Sequence, residues 1–456
     1  MPDAGSLHTR DRGIATRLLA ALLFICPVAG NTAPLLMVSI DGLRPADVIA
    51  AKQRGLSIPN LRRFVSEGAY AAGVVGVLPS VTYPSHTTLL TGAAPARHGI
   101  VGNTTFDPTA INQGGWYWYA ADIKLPTLWE AVSGSGRSTA NVHWPVSVGA
   151  RGINWNLPQI WRTGHADDDK LLEALATPRL VAELEKKLGD YAHGIDESIE
   201  GDENRGKFAV ELIGAKKPYF ITVYLTALDH EQHVEGPGSA KAHAVLERID
   251  AIVGRLIAAH KAAYAEGVIA VVSDHGFESS TTEANLFRLL IDEGLIKLEG
   301  DGKIASWEAM PWNSGGSVAI VLARREDAAL KARVATLLER VKLDGTLPIA
   351  AIADEREIAR MGGNPEASFY LNLAPHAVGA SFAGADAPLT GPTKIKGMHG
   401  YFPAAPALRS TFLLMGRGIP TGRAMGEIDM RAIAPTLARI MAVPLPTAEV
   451  AAIELR

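Results

Sequence analysis

A chain of 456 residues exceeds the ~250–300 at which a single hydrophobic core usually stops growing, so one large α/β core with an inserted lobe, or two lobes, is expected. A net charge of −4 argues against a surface that coats nucleic acid, while leaving a nucleotide or other small phosphate ester open as substrate. The single cysteine, Cys26, lies near the N-terminus, so the mature chain is expected to lack disulfides and any metal site must use His and carboxylates.

Arg10, Arg12 and Arg17 precede an apolar run from Leu18 to Cys26, and small residues follow from Val28 to Ala33. That order is the pattern of a secretory signal peptide over residues 1–33, so export to a periplasm or the medium is expected. The apolar run is too short for an ordinary membrane span.

From Pro34 to Ile40 the chain is almost continuously apolar and ends in Asp41-Gly42. This reads as a buried strand with a carboxylate at its C-terminal end, the edge where open α/β sheets keep their sites. The plainer reading is a turn capped by Asp41. Ile58 to Gly68 has helical spacing, with Leu61, Phe64 and Val65 on one face. A strand-like run from Gly73 to Leu78 then delivers Thr82, and Pro84 suits the first turn of a helix. A hydroxyl there sits beside free backbone N–H groups, where negative charge is favoured, and so is well placed to attack a phosphoryl centre. Most threonines at helix starts are only N-caps. Asn103 follows in a Gly-containing loop and offers an amide donor to a phosphoryl oxygen, although an Asn after Gly is more often a turn residue.

An aromatic patch (Trp116, Tyr117, Trp118, Tyr119, Trp129) either walls a pocket or is plain core. Asn141 to Pro145 reads as a short strand with its breaker, and 154–161 as irregular chain bordering the site. Residues 167–215 are charged and helix-forming, with Leu180, Val181, Leu184 and Leu188 at helical spacing; a solvated outer layer without chemistry is expected. Tyr219 to Leu225 is a second core strand, and it runs into Asp229, His230 and His233. Asp229 and His233, four apart, share a helical face and suit one metal, with His230 the competing ligand. Ala240 to Ala263 is a long helix. Gly267 to Ser273 is a third buried strand, ending in Asp274-His275. Beyond it lie helix-like (284–294, 327–341) and strand-like (317–323, 368–373) stretches, the expected inserted lobe. His399 sits on a Gly-flanked loop, Ser410 to Gly416 is a final core strand, and Met430 to Ala442 a closing helix. The implied division is core over 34–282, lobe over 283–390, and core again over 391–456.

Asp41, Asp229, His233, Asp274, His275 and His399 together offer three carboxylates and three imidazoles, enough for two divalent ions with three protein ligands each. A lone His or Asp is usually structural; three strand ends at one sheet edge all carrying such side chains are not readily explained that way. Two ions ~4 Å apart can stabilise both the attacking and leaving oxygens of an in-line displacement.

The segments Ser39–Arg44, Pro79–His86, His98–Asn103, Asp229 with His233, Ser273–Gly276 and Gly397–Tyr401 resemble the nucleotide pyrophosphatase/phosphodiesterase family of the alkaline phosphatase superfamily, in the family's order and over nearly all of the mature chain. The resemblance implies a doubly wound, mostly parallel α/β sheet flanked by helices, with a smaller inserted lobe. It implies two zinc ions (other divalent ions also fit), one held by Asp229, His233 and His399 and the other by Asp41, Asp274 and His275. Thr82 would reach toward the second ion and form a phospho-threonine intermediate, with Asn103 and the Tyr83 N–H holding an oxygen. Tyr83 would stack on a nucleobase, and Trp161 is the nearby candidate for a second stacking ring. His230 falls outside the family pattern.

The implied substrate is a small phosphodiester, a nucleotide in the first instance, with no polymeric nucleic acid and no membrane span after processing. Sulfatases are excluded because Thr82-Tyr-Pro-Ser-His86 has no Cys or Ser at the nucleophile position. The Thr-using phosphomonoesterases that the chain resembles carry a Lys/Arg pair that is missing after Trp144. Phosphonate hydrolases share the same core, and a non-catalytic binding protein would not need all seven positions filled.

Overall fold

A strand covered on both faces must be apolar at consecutive positions, not at alternate ones. Leu35–Ile40, Phe220–Leu225 and Val268–Val272 come close to this condition, and every residue in them is buried. In the computed structural model, which describes residues 32–109, 111, 115–160, 164–191 and 196–455, these three strands lie side by side. Leu35–Ile40 is central and pairs in parallel with both neighbours, Ile40 opposite Leu225 and Ser39 opposite Val272. Their C-terminal ends therefore share one edge, which places Asp41, Asp274 and the segment leading to Asp229 together.

The full sheet has eight strands, in the spatial order Arg423–Ala424, Ala69–Tyr70, Phe412–Gly416, Val268–Val272, Leu35–Ile40, Phe220–Leu225, Thr139–Val142 and Trp155–Leu157. Only Phe412–Gly416 runs against its neighbours, so the sheet is mostly parallel, as expected. Helices cover both faces because successive side chains of a strand point to opposite sides. Leu36, Val38 and Ile40 pack into one core with Phe208, Leu212, Ile249 and Val253. Leu35 and Met37 pack into the other with Leu89, Leu90, Trp129 and Leu437. The long helix spans Ala240–Ala263, opened by Ser239, whose hydroxyl accepts the Ala242 N–H.

A separate antiparallel sheet orders Ala309–Asn313, Ser317–Leu322, Phe369–Leu373 and Ile349–Asp354. Its own core includes Leu290, Val318, Ile320, Val334, Leu338 and Leu371. The turn between its first two strands backs the His399 loop: the Gly316 N–H donates to His399 O at 2.8 Å. Gly400, at φ +84°, has Ser314 O within 1.7 Å of where a Cβ would stand, so only glycine permits this approach.

Two expectations are modified. The strand expected over 73–78 is confined to Gly73–Val75, pairing with Glu427–Asp429, and the chain then leaves the sheet toward Val81. Residues 167–215 form helices Asp168–Leu175, Leu180–Leu188 and Ile199–Lys216. They are not merely a solvated layer, since Asp202 and Arg205 are fully buried. The expected signal segment lies outside the described residues except for its last two. No described helix is long and apolar enough to cross a membrane.

Candidate active site

Among the described residues, two groups of three gather their ligand-capable atoms within 4.8 Å: Asp229, His233 and His399, and Asp41, Asp274 and His275. Asp229 and His233 lie on the helix Ala227–Glu235, one turn apart as their spacing predicts. His233 Nε2 is 3.3 Å from Asp229 Oδ2, and His399 Nε2 is 3.7 Å from Asp229 Oδ1. In the other group His275 Nε2 is 3.1 Å from Asp274 Oδ2 and 3.4 Å from Asp41 Oδ1. The groups abut: the rings of His275 and His399 stack with centroids 3.6 Å apart. His230 is not brought in. It is half exposed and pairs with Glu197 at 3.2 Å.

The turn after Asp41 depends on Gly42, at φ +67°, where a Cβ would lie 2.8 Å from both Gln232 and Phe277. The Gly42 N–H donates to Asp274 Oδ1 at 3.2 Å, linking two strand ends. His233 Nδ1–H donates to Gly397 O at 2.8 Å and His275 Nδ1–H to Gly276 O at 3.2 Å, which turns each Nε2 lone pair inward.

The electrostatics suit cations. Burial, then the Asp229 and Asp274 carboxylates, push Asp41 well above the usual carboxylate range. Burial would also raise Asp229, but His233, His399 and His275 outweigh it and hold that carboxyl at about 2. At Asp274 His275 and His86 likewise outweigh burial and hold it low. Burial disfavours the His233 cation, but Asp229 outweighs it and raises the ring to about 9. Asp41 Oδ1, Asp229 Oδ1, Asp274 Oδ2 and His275 Nε2 are all buried without a hydrogen-bond partner. Orphaned carboxylate oxygens and imidazole nitrogens at this density are costly unless something binds them. The donor set, nitrogen and oxygen only, fits divalent zinc.

Thr82 is the first residue of the helix Thr82–Thr91, all ten residues of which are buried, with Val81 extended before it. Asn103 meets the same helix start, its Oδ1 accepting the Tyr83 N–H at 2.9 Å. That N–H, expected to face substrate, is thus bonded to Asn103, whose NH₂ end is left as the donor. Tyr83 also departs from the open stacking surface expected of it. Its ring is 1 % exposed and packs against Ile100, Val146 and Trp116, the last at 5.3 Å between centroids. Trp161 lies outside the described residues.

Several side chains escaped the sequence reading. His86 Nδ1–H donates to Thr82 O at 2.8 Å, and its Nε2 accepts from Ser39 Oγ at 2.8 Å, tying the Thr82 helix to the central strand. Tyr224 OH donates to Asp41 Oδ2. Asp202 accepts the Thr226 and Ala227 N–H groups, both at 2.9 Å, and so caps the start of the Asp229 helix from a distant segment; Arg205 donates to Asp202 Oδ1 at 2.6 Å. The signal available for His86 was its four-residue spacing from Thr82. For Asp202 and Arg205 it was an i, i+3 pair inside an otherwise ordinary charged helix.

Comparison with known proteins matches residues 35–401 to the family model for type I phosphodiesterase/nucleotide pyrophosphatase. Human ectonucleotide pyrophosphatase/phosphodiesterase family member 1 is 23% identical over 273 residues, 58% of this chain and 25% of that protein. The venom phosphodiesterase of Macrovipera lebetinus is 24% identical over 266 residues, 56% of this chain and 26% of that protein. The match thus spans about a quarter of the length of these curated relatives. A solved structure of murine ectonucleotide pyrophosphatase/phosphodiesterase 5, an inactive threonine-to-alanine variant in complex with AMP, superposes with a TM-score of 0.64 at 18% identity, covering 91% of this chain and 96% of that one.

Proposed function

Because the chain belongs to the type I phosphodiesterase/nucleotide pyrophosphatase family, we propose that it is an exported two-zinc hydrolase of phosphodiester or pyrophosphate bonds in small nucleotides, working through a phospho-threonine. The observation that carries this reading is the pair of abutting three-residue ligand groups together with a threonine at a helix start, linked through His86, whose Nδ1 is bonded to the Thr82 carbonyl and lies 3.6 Å from Asp274 Oδ2. Asp229, His233 and His399 would hold one cation and Asp41, Asp274 and His275 the other. Bound cations would supply Lewis-acid stabilisation of negative charge on the reacting oxygens.

Thr82 Oγ attacks phosphorus, an Oγ–P bond forms as the bond to the leaving oxygen breaks, and the leaving group departs as an alcohol or phosphate. Water then attacks phosphorus and Oγ–P breaks, returning Thr82 to its hydroxyl form. His86, bonded to the Thr82 carbonyl, orients the first helical turn. The Asn103 NH₂ group donates to a phosphoryl oxygen, fixed in that orientation by its bond to the Tyr83 N–H. The relative crystallised with AMP was inactive as a threonine-to-alanine variant, which agrees with a threonine nucleophile. Export draws support from the N-terminal residue pattern and from relatives named as ectoenzymes and venom enzymes.

Paired kinetics on the zinc-loaded chain test the reading. Thymidine 5′-monophosphate p-nitrophenyl ester, a diester, should be turned over far faster than p-nitrophenyl phosphate, a monoester. Thr82→Ala should retain its metal but lose ~10³-fold or more in turnover, the scale on which removal of a nucleophile acts. A monoester preference, or near-normal turnover by Thr82→Ala, would overturn the assignment.

A further inference from the structure

Two dications repel each other, so their separation has to be imposed by the protein that holds them. The two ligand groups arise from different segments. One is rooted on the helix Ala227–Glu235 and the His399 loop, the other on the ends of the strands Leu35–Ile40 and Val268–Val272. Gln232 stands where these segments meet. It lies three residues after Asp229, on the same side of the helix, and its side chain is buried.

Gln232 Nε2–H donates to Gly42 O at 3.0 Å, and the Gly42 N–H donates to Asp274 Oδ1 at 3.2 Å. The two peptide planes that flank Gly42 are thus pinned separately, one to the helix that carries Asp229 and His233, the other to Asp274. Asp41, one residue earlier, is aimed by the same turn. On the opposite side, the Gln232 backbone oxygen lies 2.5 Å from where a Cβ on Gly397 would stand, and the Lys396 N–H donates to His233 O at 2.8 Å. The His399 loop therefore closes against the same helical turn. The residue type suits the place. Gly42 O needs a donor, which a carboxylate lacks; Lys or Arg would set positive charge beside the cations; Asn is one methylene shorter.

We propose, resting on the two-cation reading above, that Gln232 is a positioning residue that couples the two ligand groups. It holds the Asp41 turn at a fixed distance from the Asp229 helix and so sets the separation of the two cations.

The test reads zinc and not turnover. Stepwise affinities are measured on the full chain by competition against a chromogenic chelator, with the urea midpoint of the metal-free chain followed in parallel. Gln232→Met keeps the length of the side chain and removes the donor. Gln232→Asn, whose amide falls short of Gly42, is the second variant should the first not fold. One of the two zinc equivalents should weaken ~10–100-fold, the range for losing a partner that orients a ligand. The other should change by no more than about twofold, as independent sites do. The weakened equivalent should be the one at Asp41: in a His275→Ala background, which disables that group, Gln232→Met should leave the remaining affinity within about twofold. Both affinities unchanged, or both weakened alike with a lower urea midpoint as a purely structural role would give, overturns the proposal. So does a selective weakening that persists in His275→Ala. Selective weakening in a chain that hydrolyses no diester would overturn the hydrolase reading and leave the coupling standing, whereas a wild-type chain that takes up only one zinc overturns both.

Discussion

Tyr224 shows how a single residue can tune the site without touching substrate. Its hydroxyl donates to Asp41 Oδ2 while Asp41 Oδ1 stays buried and unpartnered, so one carboxylate oxygen is anchored and the other presented. Burial and the Asp41 charge both push the phenol up, which keeps it a donor. Tyr224→Phe deletes that anchor and changes little volume. We expect ~10–100-fold weaker zinc binding at the Asp41 group, the usual effect of losing a partner that orients a ligand, measured by competition against a chromogenic chelator. Unchanged affinity would show that the strand alone orients Asp41. Tyr224 could not be picked out in the sequence because it sits in a run of strand residues all destined for burial. Asp41 and Asp274 could, because each is the first ionisable group after such a run.

At the scale of elements, most of the scaffold was legible. The three core strands and the helix Ala240–Ala263 follow from uninterrupted or 3.6-periodic apolar residues. The start of the Thr82 helix follows from Pro84. What was not legible depends on contacts between distant segments. The covered Tyr83 face is made by Trp116, and the capping of the Asp229 helix by Asp202 joins residues more than twenty positions apart, which no local pattern encodes. That cap yields a prediction. Asp202→Ala would strand two helix-start N–H groups and leave the Arg205 guanidinium buried without its carboxylate. Breaking a buried pair on one side costs about 3–5 kcal/mol, and urea unfolding should show a loss of that order. Because the capped helix carries Asp229 and His233, zinc affinity at their group should weaken in the same variant. A loss under ~1 kcal/mol, typical of surface pairs, would mean that water satisfies these groups.

For the molecule as a whole, acid stability should be governed partly by histidines the fold keeps neutral. His98 accepts the Ile100 N–H on Nδ1 at 3.2 Å, and its Nε2–H faces Thr88 Oγ1 at 3.1 Å, an oxygen that itself donates to Ala93 O at 2.9 Å. A proton added at Nδ1 would break the Ile100 bond, and burial holds the ring down at about 3. The unfolded chain's histidine titrates near ~6.5, so between that value and about 3 the unfolded state binds a proton that the folded state refuses. Stability from this residue is therefore complete above ~pH 6.5 and falls as pH drops, by about 1.4 kcal/mol per pH unit for one proton. His98→Gln loses packing at neutral pH but also removes that proton from the balance. Its unfolding free energy, followed from pH 6.5 to 4 with chelator present so that metal release does not contribute, should be lower than wild type at the start and decline less steeply, by about one proton. Parallel curves would show that His98 is protonated in the folded chain, and that the loop leading to Asn103 does not depend on its neutral form.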